Sequence, residues 1–170
     1  FMSYSKLKLL GISLIIIIII TSFSYKRFYN WYQLQFTDYG YWDNWNRIYG
    51  LTVPKPQKLK IAFNSFGPLG EGELYGICVY KSDGFEDVKR LGIWRKMSND
   101  KEYGSINERV ENFKQMVYKF SNLSTNPFLE YPVKLDKNSL YYLNVKDNGS
   151  WLLAILQSNE SKIFVMEVSN

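Results

Sequence analysis

Serine, lysine and closely spaced carboxylates are the groups through which this chain could do covalent or acid–base chemistry. Ser98-Asn99-Asp100-Lys101 spells S-x-x-K, which in one enzyme class supplies a serine nucleophile and its lysine. Neither S-D-N nor K-T-G accompanies it, and it falls in a polar stretch, so the reading here is a solvated turn. Glu71 with Glu73, and Glu86 with Asp87, are carboxylate pairs of the kind that hydrolysis by paired acid and base needs. Solvated loops carry many such pairs, and spacing alone gives these no role. Gly67, Gly70 and Gly72 lack the following Lys-Ser/Thr of a phosphate loop and read as a hairpin connection. The D-x-[DN]-x-[DN]-G pattern of a calcium loop does not occur.

The chain has no histidine, so Ser-His and Cys-His nucleophile pairs cannot form, and the commonest general base and zinc ligand is missing. Cys78 is the only cysteine, which rules out an intramolecular disulfide; inside an apolar run it reads as a small core residue. The expectation is a protein that is not an enzyme and uses no cofactor or metal. The formal charge is +5, and past the first 24 residues 19 basic side chains face 16 acidic ones, interspersed along the chain. A nucleic-acid binder usually carries a basic stripe, and none is visible.

What the sequence offers in place of reactive groups is rings. "YKRFYNWYQLQFTDYGYWDNWNRIYG" holds eleven aromatic residues and follows directly on the greasy tract "LLGISLIIIIIITSF". Lys6 and Lys8 precede the run 9–20, apolar apart from Ser13, as in a secretory signal or signal anchor, and Ser22 and Ser24 fit a cleavage site. As a helix, residues 7–25 would span roughly 28 Å, close to the hydrocarbon thickness of a bilayer. Lys26, Arg27, Phe28, Tyr29, Trp31 and Tyr32 then suit a headgroup layer, because Lys and Arg snorkel and Trp and Tyr favour that level. A retained anchor is therefore expected in preference to a cleaved signal. Basic residues flank the tract on both sides and do not orient it, but a short tail before a long domain favours placing the carboxy-terminal part outside the cytoplasm.

The second half of the ring-rich stretch supplies candidate partner-binding residues, Tyr39, Tyr41, Trp42, Trp45 and Tyr49, since interfaces favour rings that bury much area with few rotors. Against this, Tyr41, Trp45 and Ile48 fit one helical face and could pack beneath a sheet. Asp38, Gly40, Asp43, Asn44 and Gly50 are turn formers. "VPKPQK" reads as an extended spacer.

The elements that must position everything else come later in the chain. "LKIAFNSF" alternates as a strand with one buried face, "GPLGEG" makes a loop, and "ELYGICVYK" is a second strand. "SDG" reads as a turn, and "FEDVKRLGIWRKM" is ambiguous between helix and strand. "GSINERVENFKQMVYKFSN" is the clearest helix, with Ile106, Val110, Phe113, Val117 and Phe120 on one face and Ser105 with Glu108 as a capping box. "SLYYLNVK" meets "SWLLAILQ" through Asp147-Asn148-Gly149, a hairpin signal, and "KIFVMEV" follows.

The expected fold is α+β: one N-terminal transmembrane helix, then a small antiparallel sheet of about five strands packed with one or two helices. The boundaries are a signal anchor at 1–25, an aromatic juxtamembrane segment and Pro linker at 26–56, and an extracytoplasmic domain at 57–170. The expected partners are the lipid bilayer and another protein, with no nucleic acid. The function expected is that of a membrane-anchored, non-catalytic binding protein of inhibitor or immunity type. The alternatives are an accessory subunit of a membrane complex and, from another class, a hydrolase using Glu71, Glu73 or Glu86.

Overall fold

The computed structural model describes residues 38–97, 99–120, 126–136 and 138–170. The chain divides into two compact units, Phe1–Tyr41 and Trp42–Asn170. The interfacial residues Lys26, Arg27, Phe28, Tyr29, Trp31 and Tyr32, and the apolar tract before them, lie outside the described residues. Among the described residues no helix is long and apolar enough to cross a membrane.

The fold is α+β, built on one six-stranded antiparallel sheet. Helix α1 is Asp38–Tyr49, followed by β1 at Lys58–Asn64 and β2 at Gly72–Val79. Helix α2 is Ser82–Lys89, β3 is the two-residue strand Arg95–Lys96, and α3 is Asp100–Phe120. Helix α4 is Pro127–Glu130, and β4, β5 and β6 are Leu140–Val145, Trp151–Gln157 and Lys162–Ser169. The spatial order is β1-β2-β6-β5-β4-β3, so the carboxy-terminal meander fills the middle. The hairpin at Asp147-Asn148-Gly149 forms as its residues require. Val145 pairs with Trp151, Gly149 takes a left-handed φ of +83°, and its N–H donates to the Lys146 carbonyl at 3.0 Å.

Every residue of β5 is buried, and β6 is buried through its interior. Both faces of the meander are thus covered. On one face, Ile106, Val110, Phe113 and Val117 of α3 join Tyr75, Ile77, Leu153, Ile155, Phe164 and Met166 in a single core. Phe113 meets the rings of Tyr75, Phe128 and Trp151 at 6.3, 6.2 and 5.9 Å. Phe120, expected on the buried stripe, is the last residue of the helix and is 66% exposed.

The other face is covered by α1 and the chain after it. Gly40, Asp43 and Asn44 sit inside this helix instead of forming turns; burial of rings at every fourth position outweighs their poor helix propensity. Gly50, at φ +70°, ends it, with the Gly50 and Leu51 N–H groups returning to the Asn46 and Trp45 carbonyls. Leu51 and Val53 are buried, and the Tyr80 hydroxyl donates to the Pro54 carbonyl at 2.9 Å. The second compact unit begins at Trp42.

Two local readings also change. Ser82–Gly84 is the first turn of α2, whose Phe85 and Val88 are buried, and the ambiguous stretch resolves as that helix followed by β3. Helix α3 starts at Asp100, so Ser105 and Glu108 are interior positions and form no capping box. The Asn99 side chain caps instead, its Oδ1 accepting from the Glu102 N–H at 2.9 Å. Asn99→Ala should therefore cost about 1 kcal/mol in chemical denaturation, whereas Ser105→Ala should stay within about 0.5 kcal/mol. Equal losses from the two would refute this assignment of the helix start.

Candidate functional site

The residues singled out by type are mostly solvated or bound into structure. Glu71, Glu86 and Asp87 are exposed, and Glu86 pairs with Lys89 at 2.6 Å. Glu73 accepts from the Ser65 hydroxyl at 2.5 Å, bracing the β1–β2 connection. Gly67 and Gly70 close a turn in that connection, at 3.0 Å between carbonyl and N–H. Cys78 is fully buried, and burial pushes its thiol up, away from the reactive thiolate. Of the S-x-x-K residues, Ser98 is outside the described residues and Asp100 and Lys101 open α3. Among the described residues no group of His, Cys, Asp and Glu could hold a metal ion.

Of the candidate partner-binding rings, Tyr41, Trp45 and Tyr49 are buried, and the Tyr39 side chain lies outside the described residues. Trp42 is half-buried, with its indole N–H enclosed and without an acceptor among the described residues. Trp45 lies on Gly76 of β2 so closely that a Cβ there would meet its ring at 2.4 Å. The glycine is what admits the ring.

Beneath the same helix sits a carboxylate absent from the sequence reading. Glu167 of β6 is 6% exposed, between Leu74 and Leu152 on the neighbouring strands. It accepts from the Trp45 indole N–H at 2.8 Å and from the Tyr49 hydroxyl, and the Lys146 ammonium lies near. That ammonium also sits over the Tyr49 ring, 4.9 Å from its centre. Tyr142 and Asn144 of β4 donate to the Tyr49 carbonyl at 2.5 and 3.0 Å, so one cluster ties the end of α1 to two strands, β6 and β4. Burial raises the Glu167 carboxyl above its ordinary value, against the opposing pull of Trp45, Tyr49 and Lys146.

A pH dependence follows. The folded chain holds the Glu167 proton more tightly than the unfolded chain, so this stabilising contribution is complete below the ordinary glutamate range. It is lost as pH rises through the raised folded value. Wild type should thus lose stability relative to Glu167→Gln as pH rises above the ordinary glutamate range, read from urea midpoints along the series. A constant difference between the two would remove Glu167 as the source.

The surface feature with binding geometry is on α3. Ser105, Glu108, Arg109, Asn112 and Met116 line one side of the helix and, with Trp151 at the start of β5, enclose a groove of about 280 Å³. The Arg109 guanidinium lies over the Trp151 ring, 4.9 Å from its centre. Val145, across from Trp151 in the β4–β5 ladder, is 55% exposed, and Phe120 stands one turn beyond Met116. Sequence reasoning missed this site. Its one legible sign is that the positions three and four away from Arg109, namely Ser105, Ile106, Asn112 and Phe113, offer no carboxylate. Comparison with known proteins adds no assignment: the chain matches no protein family, no curated protein and no solved structure.

Proposed function

We propose that this chain is a membrane-anchored, non-catalytic binding protein that acts outside the cytoplasm and sequesters a protein partner, as inhibitor and immunity proteins do. The observation that carries the reading is the α3 groove, an open recess lined by the Trp151 ring, by the polar side chains of Ser105, Glu108, Arg109 and Asn112, and by Met116. Recognition needs such a complementary surface and nothing more. The anchor rests on the sequence: an apolar run at 9–20 long enough with its flanks to span a bilayer, then basic and aromatic residues suited to the headgroups.

The test is affinity purification of the detergent-solubilised full chain, with identification of what co-purifies, repeated after exchanging residues 9–20 for an unrelated anchor. A tethered binder keeps its partner after the exchange. Loss of the partner would instead mark an accessory subunit held through specific helix contacts in the membrane.

A further inference from the structure

The α3 groove contains a cation whose neighbours do not explain it. Among the lysines of this domain, Lys89 pairs with Glu86, Lys114 with Glu111 and Lys162 with Glu160, at 2.6, 2.7 and 2.6 Å, and Lys134 also reaches Glu160 at 3.9 Å. Arg109 has no carboxylate partner among the described residues, and its one assigned contact is the Trp151 ring. A cation–π contact with the indole uses none of the five N–H donors of the guanidinium. A planar fork held this way is prepared for two parallel hydrogen bonds to a carboxylate, with little rotamer freedom left to lose. Ser105 and Asn112, one turn to either side on the same wall, add uncharged hydrogen-bonding groups.

From this geometry we infer that the groove binds an acidic side chain on a segment of a protein partner, with Arg109 as the recognising group. The inference rests on the binding role proposed above and names the chemistry of the partner. Glu108 lines the same groove, which limits the ligand. A polyanion would be repelled there, so a nucleic acid or polyphosphate is a poor occupant, and a single Asp or Glu flanked by apolar residues is a good one. The carboxylate meets Arg109, and the flanking side chains meet Met116, Phe120 and Val145, of which Phe120 and Val145 are 66% and 55% exposed.

The experiment uses fluorescein-labelled heptapeptide pools, apolar and small at six positions and fixed centrally as Glu, Gln or Lys. Anisotropy is followed against the full chain in uncharged detergent. The Glu pool should bind about tenfold tighter than the Gln pool. Arg109→Gln should erase that preference with circular dichroism unchanged, and Glu108→Gln should strengthen the Glu pool. Equal binding of the Glu and Gln pools, or a preference that survives Arg109→Gln, overturns the assignment. Competition by N-acetylglutamate as effective as by the peptide would do so too, by marking a site for small free carboxylates. The binding role fails separately. If a partner co-purifies equally with wild type and Arg109→Gln while the pools bind alike, the role stands and this groove falls. An Arg109-dependent Glu preference without any co-purifying protein keeps the groove and removes the proposed role.

Discussion

Replacing Trp45 with alanine should be the most damaging single change in the described domain. Emptying a buried aromatic site costs about 3–5 kcal/mol, and Trp45 has no exposed surface. Its ring occupies the space that Gly76 leaves open, so nothing nearby is placed to fill the void. The change also takes one hydrogen bond from the buried Glu167, adding about 1–3 kcal/mol for the lost donor. The total approaches the whole stability of an ordinary domain, about 5–15 kcal/mol. Trp45→Phe keeps most of the volume and loses the N–H, so it should cost far less and should isolate the Glu167 term. Urea denaturation of both variants decides the matter. A Trp45→Ala midpoint matching wild type would mean that α1 is not needed for the sheet. A chain beginning at Gln57 would lack Trp45, Tyr49, Leu51 and Val53 together, and should fare worse than either variant.

Phe113→Ala should cost about 3–5 kcal/mol on the opposite face of the sheet. Phe113 is fully buried, and its ring touches those of Tyr75 of β2, Phe128 of α4 and Trp151 of β5. Asn112→Ala, one position away and exposed, should leave stability within about 0.5 kcal/mol of wild type. The contrast between adjacent residues separates loss of packing from loss of helix propensity. If Phe113→Ala behaves like Asn112→Ala in chemical denaturation, α3 is not a core element. Because the Trp45 and Phe113 sites lie on opposite faces of one sheet, their losses should add in the double variant, as independent sites do.

Local pattern was enough to read the α+β class, the β1–β2 pair, the β4–β5 hairpin and the helix carrying Ile106, Val110, Phe113 and Val117. In each, a period of two or of three to four, or a turn pair such as Asn148-Gly149, acts within a few residues and needs no distant partner. The two-sided burial of the meander was also written in the sequence, as the unbroken apolar runs "WLLAIL" and "IFVM". Helix α1 belongs to tertiary structure. Its glycine, aspartate and asparagine favour turns locally, and only a sheet with Gly76 placed to receive Trp45 makes the helix worthwhile. The same holds for Glu167, whose donors lie 122 and 118 positions away in the chain at Trp45 and Tyr49. Arg109 and Trp151 likewise become a groove only once α3 crosses the start of β5. Periodicity reports which side of an element is buried, because burial repeats along it. Which residues then meet depends on how separate elements cross, and no local pattern encodes that.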